Sequence, residues 1–402
     1  MKLNKDLLRL SDTDFAAIIN KKVSDYQYAN PDSVIVRLDN EDAYLPYPDC
    51  VYNAMQSALE ESSKDATLRT TPPLRGYPFL IDTIISHYAK KNIQLFDTEI
   101  FINNGAKCDI SGLTELFHSD NSVMITEPFD PVYYNSSLSG GKAVRFIKAD
   151  EKSGFIPHPP KAERSDLIYL CSPCNPTGAL YPQEILKEWV EYALDNNSLI
   201  IYDASYEDFA CIDGQNQSIY SIDGAKKCTV QICSLSKAAG FANLRLGYTI
   251  IPNNVVIDST RLNQIWLQRE RLKFNGVSYV TQRGAQAAFS DEGKEEISQH
   301  IKHYLSNTRL LTEVLVKAGL CNQSFVSSPN VWFKCPGKMS SWECFDYLLN
   351  KAGIVAIPGS IFGSAGEGHM KLTGYNSREN TTAAARRLWQ LLGSFAEKGA
   401  TN

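Results

Sequence analysis

Short apolar runs rich in β-branched residues alternate with helical stretches between residues 99 and 251, and this alternation constrains the fold of the chain most strongly. Strands that are apolar along their whole length are typical of a parallel sheet that helices cover on both faces. We therefore predict an α/β fold with a mostly parallel sheet. The predicted strands are 99–103, 123–126, 166–171, 199–202, 229–233 and 246–251, with helices at 110–117 and 182–195.

The pattern changes after about residue 285, which indicates a second and smaller domain. We predict a large domain at 46–285, a small α+β domain at 286–402, and an N-terminal arm, 1–45, that packs with the small domain. Ser340 or Ser341 is suited to cap one of its helices. The predicted elements of the small domain are helices at 292–318 and 341–352, strands at 331–334 and 370–373, and a terminal helix from about Arg378.

The composition excludes several classes of protein. The 402-residue chain is 43% hydrophobic and 21% charged, which is typical of a globular protein. A formal net charge of −5 without a basic stripe argues against nucleic acid as a partner. No apolar run approaches the roughly 20 residues that span a bilayer, and the first residues lack the apolar core of a signal peptide. We therefore predict a cytoplasmic protein with no membrane partner.

The cysteines and histidines do not form a recognisable metal-binding pattern. Ten cysteines without regular spacing indicate reduced thiols rather than a disulfide framework. Cys171 and Cys174 form a C-x-x-C, but no second pair of metal ligands accompanies them. His300 and His303 lie on a polar predicted helix. We therefore predict no metal site.

The segment Ser-Leu-Ser-Lys-Ala-Ala-Gly-Phe at 234–241 places Lys237 between two apolar stretches. Because such a lysine is expected to be buried, we predict that desolvation lowers its pKa toward that of a nucleophilic amine. The segment also offers two hydroxyls, and Arg245 follows eight residues after the lysine. This set suits a Schiff base on an aldehyde cofactor whose phosphate is anchored beside it.

Polar side chains also follow the two predicted strands that precede this segment. Asn175 lies in the turn after 166–171, and Asp203 and Tyr206 follow 199–202. Because ligands of such sheets bind beyond the carboxyl ends of the strands, we expect these residues to lie close to Lys237. A carboxylate at Asp203 could keep a pyridine nitrogen protonated, while Asn175 and Tyr206 could hydrogen-bond the ring hydroxyl.

A phosphate site is predicted where the segment 103–107 ends one strand and opens a helix. The free N–H groups at the start of a helix bind anions, and an arginine adds charge-assisted hydrogen bonds. The candidate phosphate ligands are Gly105, Ala106, Lys107, Ser234, Ser236 and Arg245.

Together these residues resemble the fold-type-I pyridoxal-phosphate aminotransferases, and within them the LL-diaminopimelate aminotransferase group. The resemblance covers nearly the whole chain. It implies a seven-stranded, mostly parallel sheet between helices, pyridoxal 5'-phosphate as the cofactor, and a homodimer with shared active sites. The matching motifs are GAKCDI at 105–110, CSPCNPTGA at 171–179, YDASYE at 202–207, SLSKAAGF at 234–241, RLGYT at 245–249, KFNG at 273–276 and PGSIFGSAGEG at 358–368.

The resemblance also implies a role for each site residue. Lys237 would form the Schiff base and later move the proton, with Asp203 and Tyr206 as the other catalytic residues. The ring would be held by Asp203, Asn175 and Tyr206, and Asn275 would reach the site of the neighbouring subunit. The phosphate would be held by the candidates named above. The predicted substrate-binding residues are Lys371, Asn175 and Lys107.

The chain departs from the family pattern on the substrate side. Family members carry an arginine at the position of Lys371, and a lysine cannot reproduce its two-point grip on the substrate α-carboxylate. Leu74 stands where a glutamate would meet the distal ammonium of diaminopimelate, which would leave that ammonium unpaired. Thr71 replaces a tyrosine that would reach the partner's cofactor phosphate. Glu41 or its neighbour replaces a glycine that lets the backbone approach the substrate.

The family's aromatic residue that stacks on the cofactor ring aligns with Asp130 in this chain. Tyr133, or Phe129 after a shift of one residue, are the alternatives for that stack. The sequence does not decide between them.

The cofactor residues are kept while the substrate residues are changed, and this favours an active enzyme over a decayed one. We expect an aminotransferase for an amino acid or an amino-acid-derived substrate other than LL-diaminopimelate. The alternative is a pyridoxal-phosphate enzyme that performs β- or γ-elimination, replacement or cyclisation. A regulator without turnover is disfavoured, because it would need a DNA-binding domain. A nicotinamide enzyme is disfavoured as well, because it would need a G-x-G-x-x-G after its first strand.

Overall fold

The computed structural model describes residues 3, 5–9, 14–211, 218–322 and 327–399. The strands are β1 (Val36–Arg37), β2 (Ile100–Asn103), β3 (Val123–Glu127), β4 (Val144–Lys148), β5 (Leu167–Cys171), β6 (Leu199–Asp203), β7 (Thr229–Ser234), β8 (Gly247–Ile250), β9 (Val256–Ile257), β10 (Thr260–Arg261), β11 (Asn330–Lys334), β12 (Ile354–Val355), β13 (Ile357–Pro358) and β14 (His369–Thr373). The helices are α1 (Lys5–Arg9), α2 (Phe15–Ala29), α3 (Asp49–Ser62), α4 (Pro78–Ala89), α5 (Ala106–Thr114), α6 (Pro131–Ser139), α7 (Gln183–Asn196), α8 (Glu207–Cys211), α9 (Ala225–Cys228), α10 (Leu262–Lys273), α11 (Tyr279–Ala288), α12 (Asp291–Lys317), α13 (Ser341–Ala352) and α14 (Arg378–Gly399).

A seven-stranded sheet in the order β2-β8-β7-β6-β5-β3-β4 forms the centre of the molecule. Its neighbouring strands are parallel, except that β8 is antiparallel to both β2 and β7. Because β8 runs the opposite way, β2 points in the same direction as β7. The carboxyl ends of β2, β5, β6 and β7 therefore lie at one edge of the sheet, and the predicted mostly parallel α/β fold is confirmed.

Helices pack on both faces of this sheet, as the apolar strands predicted. Successive residues of β6 enter two different apolar clusters, because side chains alternate between the faces of a strand. Ile200 packs in one cluster with Trp189 of α7, and Ile201 packs in the other with Trp266 of α10. All four side chains are buried.

The sequence pattern did not predict strand β4 at the edge of the sheet. Arg145, Phe146 and Lys148 are exposed on this strand, and Val144 and Ile147 are only half-buried. An edge strand that is solvated in this way lacks the continuous apolar run on which the other predictions rested.

A second, smaller sheet is antiparallel and contains β11, β14 and β13 in that order. The N-terminal strand β1 pairs in parallel with β12, with Val36 opposite Ile354. Val36 and Leu38 also belong to the apolar cluster of Leu348 in α13. The domain boundaries at 45 and 285 stay predictions, and helix α11 runs across residue 285.

The start of α13 agrees with the predicted cap. The Ser340 side chain accepts a hydrogen bond from the Glu343 N–H, and the Glu343 carboxylate accepts one from the Ser340 N–H. Ser340, rather than Ser341, is therefore the N-cap, and the pair forms a capping box.

Within the described ranges, no helix combines the length and apolarity that a membrane crossing needs. The same part of the chain holds no group of three or more histidine, cysteine or acidic side chains suited to a metal ion. Cys171 and Cys174 are buried free thiols.

Candidate active site

Three neighbouring parallel strands end with predicted site residues. Asn175 follows β5, Asp203 is the last residue of β6, and Lys237 comes three positions after the end of β7. Cys171 of β5 pairs with Asp203, which in turn pairs with Ile232 of β7. The register of the sheet therefore brings the amide, the carboxylate and the amine to one edge, as the order of the strands predicted.

Lys237 is held by one backbone carbonyl and one carboxylate of the loop that follows β1. Its Nζ donates a hydrogen bond to the backbone oxygen of Glu41 at 2.6 Å and to Asp42 Oδ1 at 3.1 Å. Burial lowers the pKa of Lys237, but the negative charges of Asp42 and Glu41 outweigh burial, so the pKa is raised. The prediction that desolvation lowers this pKa was wrong, because it counted burial but not carboxylates from a distant segment.

Asp203 is fixed by two hydrogen bonds. Its Oδ2 accepts a bond from the Tyr133 hydroxyl at 2.6 Å, and its Oδ1 accepts one from the Ser205 N–H at 2.9 Å. These bonds orient the carboxylate at the end of β6. Local sequence patterns could not predict the Tyr133 contact, because Tyr133 lies on α6, 70 residues earlier in the chain.

The two aromatic alternatives for the ring stack are both packed against other rings. Tyr133 stacks on Tyr169, with ring centroids 5.0 Å apart and an interplanar angle of 13°. Phe129 stacks on Phe146 at 5.3 Å and 11°. Asp130, which aligns with the family's stacking aromatic, instead caps α6 by accepting a hydrogen bond from the Val132 N–H at 3.0 Å.

The predicted phosphate site is a compact cradle at the start of α5. Gly105 has a φ of 96°, and a Cβ atom placed on it would come within 2.6 Å of the Arg245 guanidinium. Only glycine therefore fits this turn. Ala106 begins the nine-residue helix, and Lys107 is exposed beside it. The first N–H groups of α5 and the Arg245 guanidinium thus meet at one point.

Two buried hydroxyls at this site have no hydrogen-bond partner among the described residues. They are Ser236 Oγ and Tyr206 Oη, whereas Ser234 Oγ accepts a bond from the Ser236 N–H at 3.2 Å. A buried polar group without a partner is costly, and these two hydroxyls are free to hydrogen-bond a ligand bound at the site. Tyr206 also places its ring centroid 5.7 Å from Lys237 Nζ.

This set of residues fits pyridoxal phosphate. The unpartnered Ser236 hydroxyl, the Arg245 guanidinium and the start of α5 suit its phosphate, and the Tyr206 hydroxyl and Asp203 carboxylate suit its ring. When bound, the cofactor would supply an aldehyde for the Lys237 amine and a ring that withdraws electrons.

A buried carboxylate that the sequence analysis overlooked supports the cradle. Asp109 Oδ2 accepts hydrogen bonds from Asn103 Nδ2 at 2.7 Å and from Thr249 Oγ1 at 2.5 Å. Asn103 Oδ1 in turn accepts one from the Gly105 N–H at 2.9 Å. Burial, which outweighs these hydrogen bonds, raises the pKa of Asp109 to about 7.

This raised pKa predicts a pH dependence of stability. A carboxyl whose pKa is higher in the folded than in the unfolded chain stabilises the fold fully below pH about 4, and this contribution is lost as pH rises to about 7. The loss is at most about 4 kcal/mol. We expect Asp109→Asn to remove it, so that chemical denaturation at pH 8 and pH 5 differs less for the variant than for wild type. An unchanged difference would contradict the assignment.

The substrate side of the site is lined by charged residues. Lys371 of β14 is fully buried and donates hydrogen bonds to the Glu41 carboxylate and to Asn175 Oδ1, the latter at 2.6 Å. Asn175 Nδ2 donates to Asp130 Oδ2 at 2.8 Å. Glu41, Asp130 and Lys107 face a cavity of about 500 Å³. Of the predicted substrate residues, Lys107 lines this cavity, while Lys371 and Asn175 lie behind it in contact with its lining residues Glu41 and Asp130.

Carboxylates that share this space have opposite pKa shifts. Burial raises the pKa of Glu41, but the charges of Lys371 and Lys237 outweigh it, so the pKa is lowered. Burial and the charge of Glu41 raise the pKa of Asp130. Of these two carboxylates, Glu41 is therefore the one that forms an ion pair, and its partner is Lys371.

Asn275 and Thr71 lie at the surface of the chain rather than among the buried site residues. Both are exposed, and Leu74 is half-buried. The two loops touch, since a Cβ atom on Gly276 would lie 2.9 Å from the Pro73 oxygen. The predicted role of Asn275 toward a second subunit stays a prediction.

Comparisons with known proteins identify the family of the chain. Residues 38–388 match the family of class I and II aminotransferases. The chain is 39% identical to the LL-diaminopimelate aminotransferase of Methanosphaera stadtmanae over 390 residues, which cover 93% of this chain and 95% of the relative. It is also 39% identical to that of Bacteroides fragilis over 404 residues, covering 96% and 98%.

A solved structure shows the same fold. The L,L-diaminopimelate aminotransferase from Chlamydomonas reinhardtii superposes with a TM-score of 0.92 at 30% identity, and the match covers 98% of this chain and 99% of that one. The chain therefore belongs to the class I and II aminotransferases, and it is a fold-type-I, pyridoxal-phosphate-dependent transferase.

Proposed function

We propose that this chain is an aminotransferase that uses a Lys237 Schiff base and acts on an amino acid or an amino-acid-derived substrate other than LL-diaminopimelate. The observation that carries the proposal is the position of the Lys237 amine. It lies at the carboxyl edge of the sheet beside Tyr206, with Asp203 and Asn175 at the ends of the two next strands.

The contacts of the residues around Lys237 suggest a role for each of them. The Lys237 amine must lose a proton before it can act as a nucleophile, and Asp42 at 3.1 Å is a carboxylate placed to accept it. The Asp203 carboxylate would hold a proton on the ring nitrogen of the bound cofactor, and the Tyr133 hydroxyl keeps that carboxylate oriented. Tyr206 and Asn175 would bind polar groups of the ring, and Arg245 would neutralise the phosphate.

The exclusion of LL-diaminopimelate rests on residues of the substrate side. A leucine at position 74 cannot accept a hydrogen bond from a distal ammonium, so binding would leave that charge unpaired. Lys371 offers a single ammonium where a guanidinium would bind a carboxylate at two points. Similarity to relatives that bear the name of this activity supports a shared scaffold.

We further propose that the protein acts as a cytoplasmic homodimer with shared active sites. Exposed Asn275 and Thr71 on two touching loops support this assembly, because a second subunit could place them near its own cofactor. Sedimentation of the purified protein would measure the number of subunits.

The proposed reaction can be tested on the purified protein loaded with pyridoxal phosphate. A panel of amino acids that includes LL-diaminopimelate is added without a keto acid, and the absorbance of the bound cofactor is followed. We expect at least one amino acid or amino-acid-derived amine to convert the cofactor from its aldehyde to its amine form, and LL-diaminopimelate to leave it unchanged. Lys237→Ala is the control that should show no conversion.

Two outcomes would contradict the proposal in different ways. Rapid conversion by LL-diaminopimelate would contradict the exclusion of this substrate. Release of ammonia or of a rearranged product while the cofactor keeps its aldehyde form would assign the chain to elimination, replacement or cyclisation instead.

A further inference from the structure

The ammonium of Lys371 is already occupied inside the protein. Its side chain is completely buried, and its Nζ donates hydrogen bonds to the Glu41 carboxylate and to Asn175 Oδ1. The same Nζ lies 5.2 Å from the centroid of the Phe362 ring. A buried ammonium in these surroundings depends on its carboxylate partner, because removing one member of such a pair leaves an uncompensated charge.

Glu41 reaches Lys371 from a different part of the chain. It lies four residues after β1, whereas Lys371 is the central residue of β14, between β11 and β13. About 40% of the Glu41 side chain is exposed, and Glu41 faces the cavity that also contains Asp130 and Lys107. Glu41 thus pairs with Lys371 and also lines this cavity.

The neighbouring charges make a second carboxylate unfavourable at this point. Asp130 is linked to Lys371 through the two sides of the Asn175 amide, and Asp42 pairs with Lys237. A substrate carboxylate that approaches Lys371 would meet Glu41 at the same ammonium, and like charges so close together repel strongly in a partly buried site. The substrate would have to displace Glu41 before it could bind there.

We propose that Glu41 is a specificity-determining residue, which occupies the Lys371 ammonium and selects against substrates that present a free carboxylate there. The inference deepens the proposed aminotransferase function and rests on it. It assigns the substrate to amines whose group facing Lys371 is neutral, such as an amide, an ester or a hydroxyl. Repulsion of the wrong ligand is an established route to such specificity.

The proposal is tested by the binding of two small probes that cannot react with the cofactor, propionate and propionamide. Both are titrated by calorimetry into the protein loaded with pyridoxal phosphate, so that the phosphate cradle is filled. We expect wild type to bind propionate at least about tenfold more weakly than Glu41→Gln does, which corresponds to about 1.4 kcal/mol. Affinity for propionamide should change by less than about threefold. Equal propionate affinities in wild type and Glu41→Gln overturn the proposal.

A double-mutant cycle shows whether Glu41 acts through Lys371. In the Lys371→Met background, Glu41→Gln should not increase the affinity for propionate, because the ammonium with which Glu41 pairs has been removed. A gain that persists in this background overturns the proposal, since propionate would then bind elsewhere. Glu41→Ala provides a second variant at an accessible loop position, and circular dichroism confirms that each protein is folded.

These outcomes are separate from the test of the proposed function. Propionate binding needs no turnover, so the predicted affinities can be observed even if no amino acid converts the cofactor. In that case the aminotransferase proposal fails while the role of Glu41 at Lys371 stands. Conversely, an amino acid with a free α-carboxylate that reacts as fast in wild type as in Glu41→Gln would sustain transamination and overturn the role of Glu41.

Discussion

Lys237→Ala is expected to abolish turnover, with kcat lower than wild type by more than about 10³-fold. The variant removes the amine that would join the cofactor and move the proton, and the nearby Lys371 is already paired with Glu41. The absorbance of a cofactor linked to the protein should be lost as well. Both properties can be measured on the same purified sample.

Lys237→Arg is the matched control for this prediction. It keeps a positive charge beside Asp42 and Glu41, so the charge balance of the loop after β1 is preserved, but a guanidinium does not form the covalent link. We expect this variant to be as inactive as Lys237→Ala and closer to wild type in stability. Activity above one-hundredth of wild type in either variant would refute the role of Lys237.

Asp203→Asn is expected to lower kcat on the order of 10²- to 10³-fold, because the neutral amide cannot hold a proton on the ring nitrogen by charge. The amide oxygen can still accept the hydrogen bond from the Ser205 N–H, so the local backbone should be preserved. The measurement is kcat under saturating amino donor, together with the dissociation constant of the cofactor.

Tyr133→Phe separates the charge of Asp203 from its orientation. The phenylalanine ring can keep the stack on Tyr169, while the 2.6 Å hydrogen bond to Asp203 Oδ2 is lost. Losing a hydrogen bond to a charged group corresponds to about 1.5–3 kcal/mol, so we expect a drop in stability but a smaller loss of kcat than in Asp203→Asn. If Asp203→Asn retained wild-type kcat, the ring-nitrogen role would be wrong.

The strand ends of the site could be predicted from the sequence because they depend on local patterns. The strands β5, β6 and β7 are largely apolar and buried along their whole length, and Asn175, Asp203 and Lys237 lie at or within a few residues of their ends. Parallel neighbours necessarily bring such residues to one edge. The phosphate cradle at Gly105 could also be predicted from the sequence, because a glycine between a strand and a helix is a local signal of an anion site.

The contacts that set the charge state of the site could not be predicted in this way. Asp42 lies 195 residues before Lys237, and Glu41 lies 330 residues before Lys371. The residues next to each lysine in the sequence do not indicate these partners. The predicted fall in the pKa of Lys237 was wrong for this reason. The pairing of Lys371 with Glu41 depends on the packing of the N-terminal segment on β14.

Buried polar positions within helices were missed for a related reason. From its sequence context, Asp109 of α5 would be expected to be a solvated helix residue, yet it is buried against Asn103 and Thr249. Its environment is created by β2 and β8, which pair antiparallel at the end of the sheet. Periodicity identifies apolar faces, but it does not show which polar residue the fold encloses.

The central claim, that Lys237 carries the cofactor, is tested most directly by reduction of the loaded protein with borohydride, followed by mass analysis of its peptides. Reduction fixes the covalent link between the lysine and pyridoxal phosphate, so the modified residue can be located. We predict a single adduct on Lys237. An adduct on Lys107 or Lys371 instead, or a loaded protein without any adduct, would contradict the account.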